Sequence, residues 1–380
     1  MIGGKNPFIR PGCGYNRTMH IRFVSVVFAL SMTGVTAGDR ERLPREQLLL
    51  YHDPAGEVKL GTTIAHWQLR RAEVLAGMQS VMGKLPGKEK RLDLAVKVEE
   101  EADAGSYVRR LITYQSEPGS RTPAYLCIPK KALSGNLKAP AVLCLHPTDN
   151  KIGHKVVVGL GGRANRQYAQ ELAERGFVTL SPAYTMLANY WPDLKKLGHE
   201  SGTMKAIWDN IRGLDYISTL PFVDTSRGFA AIGHSLGGHN SVYTAVFDER
   251  IKVVVSSCGL DAYPDYYGGN EKRWHYGQGW CQDRYMAKLA NYRGRLEEIP
   301  FDFHEMIAAL APRTCFISAP IGDGNFRWQS VDAIAESASM IYNLYGKPRN
   351  LIVDHPDCGH DFPDAMREKA YGLIENILRD

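Results

Sequence analysis

The greater part of the chain alternates short apolar runs with segments in which apolar residues recur at helical spacing. Each apolar run is only a few residues long, which suits a strand buried on both faces better than a helix. Strands that alternate with helices predict an α/β fold, with a mostly parallel central sheet and helices on both faces. The apolar runs occupy residues 141–145, 177–180, 229–232, 253–256, 314–318 and 350–353, and the helical segments occupy residues 163–175, 203–220, 238–248, 329–345 and 364–378.

The region before this alternation has a different pattern. Residues 62–82 carry apolar side chains at helical spacing, and a glycine-containing segment follows them. Three strand-like segments come next, separated by turn signals at Gly105 and at Gly119. We therefore expect antiparallel strands to lead into the parallel sheet. They occupy residues 92–99, 107–114 and 122–128.

One segment interrupts the alternation, at about residues 260–305. It is much longer than a usual connection between a strand and the next element. Its aromatic residues could form a small core of an inserted subdomain, or they could form a lid or platform that stacks on a sugar ring. The sequence leaves both interpretations open. The aromatic residues are Tyr263, Tyr266, Tyr267, Trp274, Tyr276, Trp280, Tyr285 and Tyr292.

The N-terminal segment has the composition of an export signal. Basic residues precede an apolar run at 23–32, and small residues up to Ala37 offer a cleavage point. The apolar run is too short to serve as a stable membrane anchor. A sticky tail without a signal function is the alternative. We predict a leader at 1–37, an N-terminal helical extension at 38–90 and an α/β domain at 91–380, in an exported protein.

Charge and cysteine content narrow the possible partners. The leader holds four basic and no acidic residues, which leaves 42 basic against 41 acidic side chains in the remainder. This balance gives no basic face for nucleic acid. The chain has no C-x-x-C motif, so neither a zinc ribbon nor a redox pair is indicated. Cys127, Cys144 and Cys315 lie in apolar strands and should be buried, whereas Cys258, Cys281 and Cys358 could form bridges of unspecified pairing.

A G-x-S-x-G pattern centred on Ser235 is the first candidate for chemistry. It follows the apolar run at 229–232 and precedes a helical segment. A strand, a tight turn and a helix make a nucleophile elbow, which presents the serine hydroxyl at the edge of the sheet. Gly233 and Gly237 suit a turn in which a side chain would clash. This context predicts that Ser235 is a nucleophile.

A serine nucleophile needs a base and an acid. His360 follows the last predicted strand, from which it can reach over the carboxyl edge of the sheet, and we expect it to be the base. Asp323 follows the strand at 314–318 and is the predicted acid that orients the imidazole. Asp332 is the second candidate for this role, although it should lie on the next helix. The chain order Ser235, Asp323, His360 is the order found in α/β-hydrolases.

Two backbone N–H groups are expected to hold the oxyanion that forms on attack. The N–H of Leu236 follows the nucleophile directly. A second donor should come from the loop after the strand at 141–145, where Pro147 has no N–H and Thr148 is therefore the predicted donor. His146 in this loop is expected to be structural.

No cofactor or metal site is predicted. Residues 159–162 are rich in glycine but lack the G-K-[ST] of a phosphate loop and the spacing of a dinucleotide fingerprint. His304 and Glu305 begin like a zinc-protease motif, but no second histidine follows at position 308. His355 and His360 are poorly spaced in a loop to form a metal pair.

These motifs resemble the α/β-hydrolase superfamily over residues 92–378. Within it, the chain is similar to the branch that contains acetylxylan esterases, dienelactone hydrolases and prolyl-oligopeptidase catalytic domains. Dienelactone hydrolases typically use a cysteine where this chain has Ser235, and oligopeptidases carry a large N-terminal propeller that would not fit in the residues before the fold. Both departures favour an esterase. The similar segments are residues 122–129, 145–148, 173–177, 233–238 and 358–360.

The resemblance and the motifs together predict an exported serine hydrolase that cleaves carboxylic esters through an acyl-enzyme. Export and the aromatic segment suggest a small-molecule or carbohydrate ester, such as an acylated or methyl-esterified sugar. A small peptidase similar to the prolyl oligopeptidases is an alternative. A sugar-binding protein on an inactive hydrolase scaffold is another. The oligomeric state is left open by the sequence.

Overall fold

The computed structural model describes residues 42–135 and 138–379. The predicted leader at 1–37, including Cys13, lies outside these residues. Within them, the helices are α1 (Ile64–Met82), α2 (Lys130–Leu133), α3 (Tyr168–Glu174), α4 (Leu194–Leu197), α5 (Gly202–Ile217), α6 (Leu236–Phe247), α7 (Phe303–Ala308), α8 (Trp328–Leu344) and α9 (Asp364–Leu378). None of these helices is both long enough and apolar enough to cross a lipid bilayer.

The strands of the same residues form two sheets. They are β1 (Leu50–His52), β2 (Val58–Leu60), β3 (Lys97–Asp103), β4 (Tyr107–Glu117), β5 (Ser120–Pro129), β6 (Ala139–Leu145), β7 (Val178–Pro182), β8 (Val223–His234), β9 (Ile251–Ser257), β10 (Thr314–Ser318) and β11 (Leu351–Asp354). β1 and β2 pair with each other, and the other nine strands form a sheet in the order β11-β10-β9-β8-β6-β7-β5-β4-β3.

The nine-stranded sheet changes character halfway across. β3, β4, β5 and β7 pair antiparallel with their neighbours in that order. From β7 through β6, β8, β9 and β10 to β11 every pairing is parallel. The predicted mostly parallel sheet with antiparallel N-terminal strands is therefore confirmed.

Helices cover both faces of the sheet, as the apolar pattern predicted. On one face, α1, α5, α6 and α8 contribute to a large core that contains Met78, Trp67 and Tyr342. On the other face, α3 and α9 enclose a smaller core around Tyr168 and Tyr371. The inner strands of the parallel half are thus buried on both sides where they read as continuous apolar runs, whereas the edge strand β11 is only partly buried.

Two predicted elements begin later than the sequence suggested. The strand expected at 92–99 starts at Lys97, because Ala95 adopts a φ of 40° and the Asp93 carboxylate accepts its N–H in a turn. The helix expected at 163–175 starts at Tyr168, because Asn165 has a φ of 61° that cannot continue a helix. In both places a local side-chain or backbone preference overrides the apolar spacing.

The region at 38–90, predicted as a helical extension, also contains the strands β1 and β2. Its helix α1 begins at the N-cap Thr63, whose side chain accepts the N–H of His66. Buried ion pairs fasten this region to the later insertion. Arg45 pairs with Asp302, and Arg70 lies 3.0 Å from a Glu305 carboxylate oxygen that also contacts Arg42.

The topology positions a crevice at the carboxyl edge of the sheet. β6 lies between β7 and β8, so the chain leaves β6 toward one side and later returns on the other. Such a reversal of strand order opens a space between the loops, and ligands bind there in α/β folds. The strands β6, β8, β10 and β11 end at this edge, and the loops that follow them begin there.

Candidate active site

The turn between β8 and α6 has the geometry of a nucleophile elbow. Ser235 is the N-cap of α6 and adopts φ 54° and ψ −120°, a conformation that costs energy for a residue with a side chain. A Cβ atom on Gly237 would lie 1.9 Å from the carbonyl oxygen of Leu145, and one on Gly233 would lie 2.2 Å from the backbone of Gly237. Only glycine fits at these two positions, which explains the motif spacing.

His360 and Asp323 form the second part of the cluster. The Nδ1 atom of His360 lies 2.9 and 3.0 Å from the two carboxylate oxygens of Asp323. Burial opposes ionisation of Asp323, but the bond to His360 and the N–H groups of Asn325 and Phe326 outweigh it and hold its pKa below the usual value. A charged Asp323 fixes Nδ1 as the protonated nitrogen and leaves Nε2 as an acceptor.

The serine and the histidine share one pocket of about 620 Å³. Ser235, His360, Leu236 and Thr148 all line it, whereas Asp323 lies behind the imidazole with its side chain buried. The structure therefore brings together at one opening four of the predicted site residues, and the fifth contacts it through His360. The pocket size suits a ligand of the dimensions of a sugar.

Leu236 and Thr148, the predicted oxyanion donors, both line the pocket. Leu236 is the first residue of α6, so its N–H has no acceptor within the helix. Thr148 lies in the loop after β6, and its hydroxyl is 3.1 Å from the Tyr285 hydroxyl. His146 is structural, as predicted: its Nδ1 donates to the Pro147 carbonyl and its Nε2 accepts the Tyr184 N–H. Burial lowers the pKa of His146 to about 4 and keeps it neutral.

The second acid candidate, Asp332, does not reach the site. It lies in α8, as the sequence suggested, and its carboxylate is 2.9 Å from Nε2 of His355. His355 in turn contacts the Ala319 carbonyl through Nδ1. The geometry favours Asp323 over Asp332 as the partner of His360.

The loop that carries His360 is held by residues that the sequence did not single out. Arg166 donates to the His360 carbonyl over 3.2 Å and pairs with the Asp361 carboxylate. Asn165 donates to the same carboxylate over 2.8 Å. Cys258, which follows β9 with a φ of 47°, directs its thiol to the Asp361 carbonyl at 3.2 Å. No short motif marks these residues, because they meet only through the fold.

The aromatic insertion contributes one wall of the pocket. Tyr266 and Trp280 stack with ring centroids 5.0 Å apart, and both line the pocket together with Tyr267 and Tyr285. Other members of the insertion pack away from it: Tyr263 makes an edge contact with Trp274 at 5.8 Å. Part of the insertion thus forms an inner aromatic core and part lines the pocket, whereas stacking on a sugar ring stays a prediction.

Within the described residues, one group of side chains has the spacing to hold a metal ion. It comprises His234, Cys258 and His360, whose ligand atoms lie within 4.8 Å of one another. Burial lowers the pKa of His234 well below its usual value, and the nearby positive charges of Arg166 and Arg163 add to this effect. The positive charge of Arg163, which has no carboxylate partner in the described part of the chain, would repel a cation, so the group is poorly suited to one. The six cysteines in these residues, Cys258 included, are free thiols.

Comparison with known proteins finds esterases. A family model described as glucuronyl esterase, fungi, matches residues 186–346, which include Ser235 and Asp323 but not His360. The putative hydrolase YtaP of Bacillus subtilis is 23% identical over 286 residues, covering 68% of this chain and 84% of that protein.

Solved structures extend the similarity over nearly the whole chain. A glucuronoyl esterase from Solibacter usitatus has a TM-score of 0.69 at 18% identity, covering 89% of this chain and 99% of its own. A CE15 glucuronoyl esterase from Caldicellulosiruptor kristjansonii has a TM-score of 0.63 at 16% identity, covering 90% and 92%. These similarities establish the predicted α/β-hydrolase fold.

Proposed function

We propose that this chain, a member of the α/β-hydrolase superfamily, is a serine esterase that cleaves carboxylic esters of carbohydrates. The glucuronyl esterase family model and the esterase structures support a carboxylic ester hydrolase. The observation that carries the proposal is the bond between His360 and Asp323 in the pocket where the strained Ser235 lies. This arrangement has the parts that acyl transfer requires.

In the proposed mechanism, the Ser235 hydroxyl attacks the ester carbonyl while Nε2 of His360 takes its proton. The resulting imidazolium is stabilised by the Asp323 carboxylate at Nδ1. The tetrahedral intermediate then expels the alcohol, which receives the proton from His360, and an acyl-enzyme remains on Ser235. Water attacks this second ester with the same proton transfers and releases the acid.

The N–H groups of Leu236 and Thr148 are proposed to hold the oxyanion. The Leu236 N–H is free of helical bonding and carries the positive end of the α6 dipole. Thr148 lies in the loop after β6, and its hydroxyl contact with Tyr285 links that loop to the insertion. Donors fixed in this way stabilise negative charge without reorganising during the reaction.

The substrate class is proposed to be a uronic acid ester of a saccharide. In such an ester the sugar supplies the acyl part and the alcohol departs. The names of the family model and of the structural neighbours support this choice, and so does the aromatic wall around Tyr267 and Trp280, because sugar rings stack on aromatic faces. An acetylated sugar is the closest competitor, in which the sugar would instead be the alcohol.

Export is proposed from residues 1–37, which lie outside the described residues. The basic start, the apolar run and the small residues before Ala37 support a cleaved signal. Mass spectrometry of the protein secreted from a native-type host should find a mature N-terminus near residue 38. Recovery of peptides from residues 1–30 in the exported protein would refute the cleavage.

A panel of esters tests the substrate class directly. Methyl and benzyl esters of uronic acids, acetylated xylan and p-nitrophenyl acetate are compared by kcat/KM on the same enzyme preparation. The proposal expects the uronic acid esters to be the best substrates by at least tenfold. A preference for acetylated xylan would reverse the assignment of the sugar from acyl part to alcohol, and hydrolysis of an aminoacyl-proline amide alone would favour a peptidase.

A further inference from the structure

The pocket carries more positive charge than the proposed chemistry uses. Lys151, Arg163, Arg166 and Arg273 line it, and Asp149 is its one acidic lining residue among the described residues. An imbalance of this sign produces a positive potential in the pocket. Not all of these charges are available to a ligand, because some of the side chains contact other groups of the protein.

Two of these five charged side chains are already bound to other groups of the protein. One Asp149 carboxylate oxygen accepts the N–H groups of Lys151 and Ile152 at 2.8 and 2.7 Å, so this acid caps its own loop. Arg166 is paired with Asp361 and bound to the His360 carbonyl. Arg166 is thus neutralised by Asp361, whereas Asp149 keeps its negative charge but is held within its own loop.

Three charged side chains remain. Lys151 is exposed and carries a compact ammonium group, whereas Arg163 and Arg273 carry planar guanidinium groups. In the described part of the chain, neither guanidinium makes a hydrogen bond or ion pair with a carboxylate. Arg163 is exposed, yet its charge reaches the buried His234 beside the elbow. Arg273 lies over the Tyr267 ring at 4.0 Å, a cation–π contact that holds its head group at the aromatic wall.

These two arginines come from separate segments and meet at one pocket. Arg163 follows the glycine-rich residues 159–162, and Arg273 lies in the aromatic insertion. Guanidinium groups bind carboxylates in a planar, two-pronged geometry. An uncharged sugar ester gives them no partner, whereas a saccharide with free carboxylates next to the ester does.

We infer that Arg163 and Arg273 select esters flanked by free carboxylates, so that the substrate is a partly esterified acidic polysaccharide. This inference rests on the proposed function, because it concerns the same site and the same ester chemistry. It adds that the residues beside the cleaved ester carry negative charge. The two arginines bind those flanking groups and act on KM more than on kcat.

Two matched trisaccharides of uronic acid test this inference. Both carry a methyl ester on the central residue; one has free carboxylates on its flanks and the other has amides there. Wild-type enzyme should show a kcat/KM about tenfold higher for the acidic trisaccharide at low ionic strength. The ratio should approach one near 0.5 M NaCl, because salt screens exposed charges.

Variants of the two arginines identify the source of the preference. R163Q and R273Q should each lower the acidic-to-amide ratio about threefold, and the double variant should bring it close to one. R349Q is the matched control. Arg349 is exposed and lies just before β11, at the amino ends of the parallel strands and not at their carboxyl ends. It should keep the wild-type ratio and its salt dependence.

The possible failures can be told apart. A wild-type ratio near one, or a ratio that the R163Q/R273Q double variant retains, would overturn the inference while the enzyme still cleaves both trisaccharides. Wild-type enzyme that cleaves neither trisaccharide would overturn the proposed function as well. A preference for the acidic trisaccharide that R349Q removes equally would assign the effect to overall charge and not to the pocket.

Discussion

The carboxyl edge of the sheet and the aromatic insertion both line one pocket, but they are built in different ways. Ser235 directly follows β8, and Asp323 and His360 lie in the loops that follow β10 and β11, so the hydrogen-bonded sheet fixes where each of these segments begins. The insertion at 260–305 consists of short 3₁₀ turns separated by irregular segments. Its position depends on aromatic packing and on buried ion pairs such as that between Arg45 and Asp302.

This difference suggests a division of labour. Proton transfer requires atoms placed within tenths of an ångström, which strand ends can provide. Recognition of a sugar tolerates looser placement and benefits from a segment that can change without altering the sheet. We therefore expect substitutions at the sheet edge to abolish turnover of every ester, and substitutions in the insertion to change which esters are preferred.

The largest expected effect is the loss of the nucleophile. Ser235→Ala should lower kcat/KM about 10⁵-fold for both a sugar ester and p-nitrophenyl acetate, because the two esters share the same attack. Ser226→Ala, at the exposed start of the same strand β8, is the matched control and should keep full activity. If Ser235→Ala retained activity on either ester, Ser235 would not be the nucleophile for that ester.

The next effect concerns the acid. Asp323→Asn should lower kcat about 10³- to 10⁴-fold, since an amide stabilises the wrong imidazole tautomer and leaves the imidazolium without its counter-charge. Asp332→Asn removes the same charge from α8, where it contacts His355 and not His360. Similar losses in the two variants would contradict the assignment of Asp323.

Acid should lower the free energy of unfolding through three buried histidines that lie outside the insertion. Burial lowers the pKa of His146 to about 4 and those of His154 and His239 to about 3. Because each folded pKa is below the unfolded value of about 6.5, the unfolded state binds more protons in this window. The stabilisation is complete above pH 6.5 and is lost as the pH falls toward the folded pKa values.

Urea unfolding at pH 7 and pH 5 measures this loss, which should be about 2 kcal/mol for each buried histidine at pH 5. His239 joins the two regions, with its ring 4.5 Å from that of Trp280. His239→Leu should reduce the difference in unfolding free energy between the two pH values by about 2 kcal/mol, the contribution of one buried histidine. His275→Leu, at an exposed position of the insertion, should leave that difference as in wild type. Equal unfolding free energies at both pH values would contradict the burial of these groups.

The smallest effect is expected in the insertion itself. Tyr267 has a φ of 49°, so Tyr267→Gly removes the ring and also relieves the backbone. This variant should raise KM for a sugar ester about three- to tenfold and leave kcat for p-nitrophenyl acetate within about twofold. Tyr276→Gly, on the exposed outer surface, is the control. Equal losses on both esters would place Tyr267 in the chemistry and not in recognition.

The sequence predicted the sheet edge better than it predicted the insertion. Ser235, Asp323 and His360 were identifiable because each follows a predicted strand, and the carboxyl ends of parallel strands meet at one edge. Arg166 and Cys258 were not, since their contacts with the His360 loop join segments far apart in the chain. The strands β1 and β2 were also missed, because three residues each give too short a pattern to recognise.

The sequence showed where the insertion lies but not which of its aromatic residues face the pocket and which form its inner core. Its aromatic residues share no period that would separate those facing the pocket, such as Trp280, from those in the inner core, such as Tyr263. That division depends on how the segment folds over α6 and α7. The later start of the helix at Tyr168 has a similar origin, because Asn165 takes a left-handed conformation that apolar spacing does not reveal.

Covalent labelling with a fluorophosphonate measures whether Ser235 is a nucleophile activated by His360. The probe forms a stable bond only with a serine that an adjacent base activates, and tryptic peptide mass spectrometry locates the adduct. We expect one adduct, on Ser235, which forms rapidly in wild type, slowly in Asp323→Asn and hardly at all in His360→Ala. Labelling of Ser235 at the same rate in His360→Ala, or an adduct on another residue, would contradict it.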